Sequence, residues 1–188
     1  IHYPYISFLL TGGHTQIYLI EGINKYELLG ETVDDSIGEA FDKVAKLLDM
    51  PYPGGPEIEK LALEGNELAF QLPQPLEREK VLNFSFSGIK TAVSLIVSKN
   101  SNINKKFKQD ISASFQRTVL KIIESKIILL MEYLNKKNII ISQISLVGGV
   151  AANNYIYKNV SKLSKKYSCE VIIPEKYMLS DNAAMIGW

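Results

Sequence analysis

The chain has 188 residues, 46% of them hydrophobic and 22% charged, with a formal net charge of +1. That is enough apolar material for one sizeable core, and the near-neutral total excludes a strongly basic nucleic-acid binder, leaving only local patches. Cys169 is the only cysteine, and no run of about 18 apolar residues marks a membrane span, so no internal disulfide forms and a reducing, cytoplasmic setting fits.

The opening stretch IHYPYISFLL has neither a methionine nor a basic n-region and does not read as a signal peptide. Together with an abrupt end at DNAAMIGW, it reads as a piece of something longer. Tyr5–Leu10 and Thr15–Ile20 read as paired strands around a Gly12-Gly13 turn, and Tyr26–Leu29 as a short third strand. Asp34–Asp49 is a helix with Asp34 or Asp35 as cap and Ile37, Phe41, Val44, Ala45 and Leu48 at helical spacing. MPYPGGP ends it, and a second helix is expected from Pro56 to about Gly65.

Leu72–Asn83 is proline- and charge-rich and reads as irregular, and FSFSGIKTAVSLIV (Phe84–Val97) as a loop opening into a helix. After the polar loop Lys99–Lys106, Phe107–Lys137 carries apolar residues at three- and four-residue steps, one long amphipathic helix or two. Ile144–Val147 is a buried strand ending in Gly148-Gly149. A helix from Ala151 to about Tyr167, a strand at Glu170–Ile173 and a last helix opening near Ser180 follow. The class is α/β.

Two glycine pairs share one design. Gly12-Gly13 and Gly148-Gly149 each follow a strand, and without a Cβ their backbone approaches a bound anion or ring closely. Helix N-termini add partial positive charge. Ordinary tight turns are the competing reading. Asp42, one helical turn after Gly38, is placed to reach a ribose or a base. Asp181 heads the last helix and is either an N-cap or a metal ligand. His14 is a base, a ligand or a turn residue, and with His2 the only other histidine the chain builds no rich metal site alone. Cys169 reads as a buried strand residue.

Five motifs stand in order: TGGHTQ, GETVDDSIGEAFDKVAKLL with YPGGP, FSFSGIKT, GGVAANN and SDNAAMI. Together they closely resemble the TsaD family, the tRNA adenosine threonylcarbamoyltransferases once described as glycoprotein endopeptidases. The resemblance implies the second lobe of an actin/Hsp70-like (ASKHA) ATPase fold with a helical insertion, truncated at both ends. Residues 1–33 would start that lobe with its hairpin, 34–140 would hold the insertion and the long helix, and 141–188 the strand–helix–strand part on the nucleotide side. Leu9, Leu10, Thr11, Gly12 and Gly13 would form the phosphate-facing hairpin. Asp42, Gly55 and Asn153 would contact the substrate, with Glu59 a weaker candidate for the ribose, and Asp181 would ligate a divalent metal, iron or zinc. The family's other two metal ligands, the histidines of an HxxxH motif, would lie before Ile1.

The implied reaction moves a threonylcarbamoyl group from threonylcarbamoyl-AMP to the N6 amine of the adenosine next to the tRNA anticodon. The implied partners are tRNA and TsaB-like and TsaE-like companion proteins, and some members form homodimers. Lys90, Lys105, Lys106 and Lys108 are either contacts to tRNA phosphates or a solvated face. Without the two histidines, an inactive remnant or a nucleotide- or partner-binding scaffold is the rival reading. A metalloprotease is weaker still, since the chain has no HExxH helix.

Overall fold

A computed structural model of the chain describes residues 1–179. Alternating burial marks its opening strands. In β1 (Tyr5–Leu10) Ile6, Phe8 and Leu10 point into the core, and in β2 (Thr15–Gly22) Thr15, Ile17 and Leu19 do the same. The third strand, β3 (Lys25–Glu31), is longer than its apolar residues suggested because it continues the antiparallel ladder with β2 as far as Gln16–Glu31. Next come helices α1 (Ile37–Leu47), α2 (Gly54–Ala62), α3 (Ser87–Ser98) and α4 (Lys105–Lys136). Strand β4 (Gln143–Val147), helix α5 (Asn154–Lys165) and strand β5 (Glu170–Ile172) complete the described chain. The strands form one mixed sheet in the order β3-β2-β1-β4-β5, with β4 parallel to both β1 and β5. This is the α/β class expected from the sequence.

The long amphipathic stretch is one helix, not two. Its 32 residues contain no glycine or proline, so nothing interrupts a rod of about 48 Å. Asn104 caps it by accepting from the Phe107 amide at 2.9 Å. Phe115 of α4 meets Phe41 of α1 edge-on at 4.9 Å between ring centroids, inside one continuous apolar core. Lys126 lies buried among these groups, and its ammonium donates to the carbonyls of Leu76 (3.3 Å) and Val81 (2.9 Å). Burial pulls its pKa down, with Glu79 opposing. The irregular 72–83 segment is thus strapped to α4 by a side chain.

Helix starts differ from the sequence expectation where side chains supply caps. Neither Asp34 nor Asp35 caps α1. Ser36 does, in a capping box with Glu39, while Asp35 pairs with Lys43 at 2.7 Å. Helix α2 begins at Gly54, before Pro56, because Asp42 Oδ1 accepts from the Gly54 amide at 2.7 Å. The helix expected from Ala151 is split into a 3-10 turn, Gly149–Ala152, and α5, because Asn153 leaves helical geometry to cap α5.

Helix α3 has no side-chain cap of its own, and Asp34 supplies one from the β3–α1 connection. Its Oδ1 accepts from the Phe86 amide (2.8 Å) and the Ser87 amide (3.3 Å). Its Oδ2 accepts from the hydroxyls of Ser85 (2.5 Å) and Ser87 (2.8 Å). Burial alone would raise the Asp34 pKa, but these hydrogen bonds outweigh it and hold the carboxyl below its ordinary 3.8. Asp34→Ala is expected to cost about 1–2 kcal/mol, the usual worth of a cap. The group's folded pKa is depressed, so its stabilisation is complete above 3.8 and is lost as pH falls through the folded value. Thermal melts of parent and variant should therefore converge in acid, and a gap unchanged by pH would contradict the carboxylate's role.

Candidate functional site

The two glycine turns of the sequence meet at one edge of the sheet. β1 and β4 run parallel with Leu9 beside Val147, so both chains leave the sheet at their carboxyl ends side by side, where open α/β sheets place their ligands. Leu10 is fully buried in the core and Leu9 half-buried. Gly148 has φ +94°, and a Cβ on it would lie 2.5 Å from the Leu10 carbonyl oxygen and 2.7 Å from Thr11 Cγ2. Only glycine allows β4 to turn this close to the hairpin.

The first turn of α1 is fastened to the same hairpin. Gly38 donates to the Thr11 carbonyl at 3.1 Å, Ser36 Oγ to the Gly12 carbonyl at 2.6 Å, and the Ile37 amide to Thr15 Oγ1 at 2.7 Å. Within the turn, the Thr11 amide donates to the His14 carbonyl at 2.9 Å. Thr11 Oγ1 accepts from the Gly13 amide at 3.1 Å and the His14 amide at 2.8 Å. Among the described residues this leaves the Gly12 amide as the turn amide without an internal partner. The His14 side chain is exposed, and the turn uses only its backbone.

The glycines divide into two kinds. Gly38, Gly54 and Gly148 press against neighbouring backbone or side chain. By contrast, Gly12, Gly13, Gly55 and Gly149 have no atom within 4 Å of where a Cβ would stand. The first kind draws the turns together, and the second leaves bare backbone open to an incoming group.

Two carboxylates link the helices around this edge. Asp42 of α1 caps α2 through Gly54, and its Oδ2 has no partner among the described residues. It borders an open cleft of about 260 Å³ shared with Lys43, Lys46, Pro51 and Tyr52. Glu59 of α2 accepts from both the backbone amide (2.8 Å) and side-chain amide (3.2 Å) of Asn154, the first residue of α5. Asn153 is buried. Its Oδ1 accepts from the Ile156 amide at 3.0 Å, and its Nδ2 donates to Gln116 Oε1 at 2.8 Å. Asp42, Gly55, Glu59 and Asn153 thus sit on elements that hold one another, and part of each polar group's capacity is spent on that.

Beside them the Tyr155 phenol donates to Glu67 Oε2 at 2.7 Å, and Arg117 stands 3.5 Å from the same carboxylate. Burial first, and then this hydrogen bond, push the Tyr155 pKa far up. The lysines proposed for tRNA differ in setting: Lys105 pairs with Glu64 and Lys106 with Asp110. Asp181 lies outside the described residues. Among those described, no three His, Cys, Asp or Glu side chains converge to hold a metal, and no helix is long and apolar enough to cross a membrane.

Sequence reasoning missed Ser36, Gln116 and Asn154. Ser36 had a signal, the S-x-x-E spacing to Glu39. Gln116 had a weaker one, an uncharged polar residue inside the apolar repeat of α4.

A family model described as TsaD, tRNA N6-adenosine threonylcarbamoyltransferase, matches residues 1–188. A Thermosipho africanus protein bearing that name is 48% identical over 184 residues, 98% of this chain and 54% of its own length. One from Rickettsia bellii is 43% identical over 189 residues, and one from Rickettsia rickettsii 44% over 195, each alignment covering 100% of this chain and 55% of the relative. The chain spans about half the length of the curated relatives it matches.

Proposed function

Because the chain belongs to the TsaD family of tRNA N6-adenosine threonylcarbamoyltransferases, we propose that it forms part of an enzyme that transfers a threonylcarbamoyl group from its adenylate to the N6 amine of the adenosine beside the anticodon. In this reaction the amine nitrogen bonds to the carbamoyl carbonyl carbon, the bond from that carbon to the adenylate phosphate oxygen breaks, AMP leaves, and the amine loses a proton. The observation that carries the reading is the meeting of two glycine turns with bare backbone at the carboxyl edge of β1 and β4, where the first turn of α1, the helix that carries Asp42, is fastened to the hairpin.

In this proposal the bare backbone at Gly12, Gly13 and Gly149 lets the donor's phosphate and ribose approach, with the Gly12 amide as hydrogen-bond donor. The free oxygen of Asp42 accepts from a donor hydroxyl or amide, and Gly55 keeps that approach open. Held in this way, the donor presents its carbonyl to the amine in a fixed orientation. Glu59 and Asn153 keep α5 in place beneath it.

The described residues do not by themselves fit a metal. Asp181 enters the proposal as one oxygen ligand to a divalent metal, iron or zinc, that the fold family implies. tRNA is the acceptor, and TsaB-like and TsaE-like companions and a homodimer belong to the same reading.

Asp42→Asn tests it. Asparagine still caps Gly54, so melting should be unchanged. Loss of the charge on the free oxygen should lower the kcat/KM of transfer from labelled adenylate to tRNA by about 10–100-fold. The measurement uses the full-length protein with its companions. Unchanged transfer would remove Asp42 from the site, and no transfer by the parent would overturn the function.

A further inference from the structure

Helix α5 has two unlike faces. Ile156, Val160 and Ser164 are buried, while Lys158, Lys162 and Lys165 are exposed. The lysines are spaced by four and then three residues, so they form one row, rising by about 6 Å and then about 4.5 Å along the axis. The helix, NYIYKNVSKLSK, contains no Asp or Glu. Among the described residues none of the three lysines has a salt-bridge partner, whereas Lys43, Lys105 and Lys106 each do. The nearby acid on α4, Glu124, is half-buried and stands in the field of Lys121 and Lys166. The row is therefore concentrated positive charge on a chain whose total is only +1.

Its position gives that charge a direction. It begins one turn beyond Asn154, which Glu59 holds beside the Gly149 turn. From there it leads away from the carboxyl edge of β1 and β4. We propose that the Lys158–Lys162–Lys165 row of α5 holds the phosphate backbone of the acceptor RNA as its reactive base enters at the glycine turns. This rests on the reading above that the acceptor is an RNA.

The chemistry favours RNA over other polyanions. The row carries no apolar anchor, which a protein interface needs at its centre and an interfacial helix needs to enter a lipid surface. Flexible ammonium groups in line suit a regularly charged backbone, which they bind by releasing counterions.

The test compares the full-length protein with its Lys158→Ala/Lys162→Ala/Lys165→Ala variant, using anisotropy of a labelled tRNA transcript from about 0.1 M to about 1 M salt. Three lost phosphate contacts should weaken binding about 100-fold at the low-salt end and hardly at all at the high-salt end. The slope of log affinity against log salt should become shallower by about 2. A Lys105→Ala/Lys106→Ala variant, whose lysines are already paired, should stay within about threefold of the parent. Unchanged affinity and slope in the triple variant, with the parent binding tRNA, would overturn the row alone. So would a loss independent of salt. A triple variant that loses binding to phosphatidylserine vesicles but keeps tRNA would assign the row to lipid. A parent that binds no tRNA would overturn the acceptor assignment as well.

Discussion

Gly148→Ala is expected to cost about 2–6 kcal/mol of folding stability, against a typical total of about 5–15 kcal/mol. Gly148 has φ +94° and ψ 169°, a region that is essentially glycine-only and strains any other residue by about 1–3 kcal/mol. The added methyl would also stand 2.5 Å from the Leu10 carbonyl oxygen and 2.7 Å from Thr11 Cγ2. Neither can yield without moving the hairpin, and overpacking of this kind costs about another 1–3 kcal/mol. Urea unfolding followed by circular dichroism measures the sum. Gly149→Ala is the internal comparison, because nothing lies within 4 Å of its Cβ position, and it should cost about 1 kcal/mol or less. Equal losses at the two positions would refute the steric argument.

Asn153→Ala is expected to destabilise the ligand-free chain by about 2–5 kcal/mol. The cap on the Ile156 amide accounts for about 1–2 of these. The rest comes from Gln116 Oε1, which is buried and loses its donor, at about 1–3 kcal/mol. Asn153→Ser should fall between, since serine still caps α5 but does not reach Gln116. The cap thereby separates from the buried bond in one series of melts. Adenylate affinity then has to be read against this loss. A variant that binds weakly yet melts like the parent would place the asparagine amide on the ligand and not in the fold.

These two residues mark how far the sequence could be read. Period-two alternation showed β1 and β2, and an uninterrupted apolar repeat showed α4, because both signals are local and dense. The pairing of glycine turns was visible as a motif but not as a contact, since nothing within LLTGG or GGVAA states that β1 and β4 are parallel neighbours. Asp34 was read, with Asp35 as the alternative, as a cap for the helix that follows it, the reasonable local choice. The structure uses it for α3, with the Ser85 hydroxyl 51 positions away, a partnership that no spacing rule encodes. Asn153 was singled out for its place in a motif. Its bond to Gln116 depends on how α4 crosses beneath α5, which only packing decides. Lys126 escaped notice because a lysine in an amphipathic helix is ordinarily a solvated residue, and its burial depends on the irregular segment folding over it.

The order in which the chain is made adds a consequence of the parallel β1–β4 pairing. The His2 amide reaches Gln143 Oε1 across 141 positions, and the neighbouring strands close a loop of similar size. At about 5–20 residues per second, a ribosome needs roughly 7–28 s to travel that distance. During that interval β1 pairs with β2 on one side and presents a bare strand edge on the other, the kind of edge that recruits foreign strands. Until β4 emerges, Gly148 has no hairpin to meet. The nascent chain therefore carries an aggregation hazard at the strand that later carries its site.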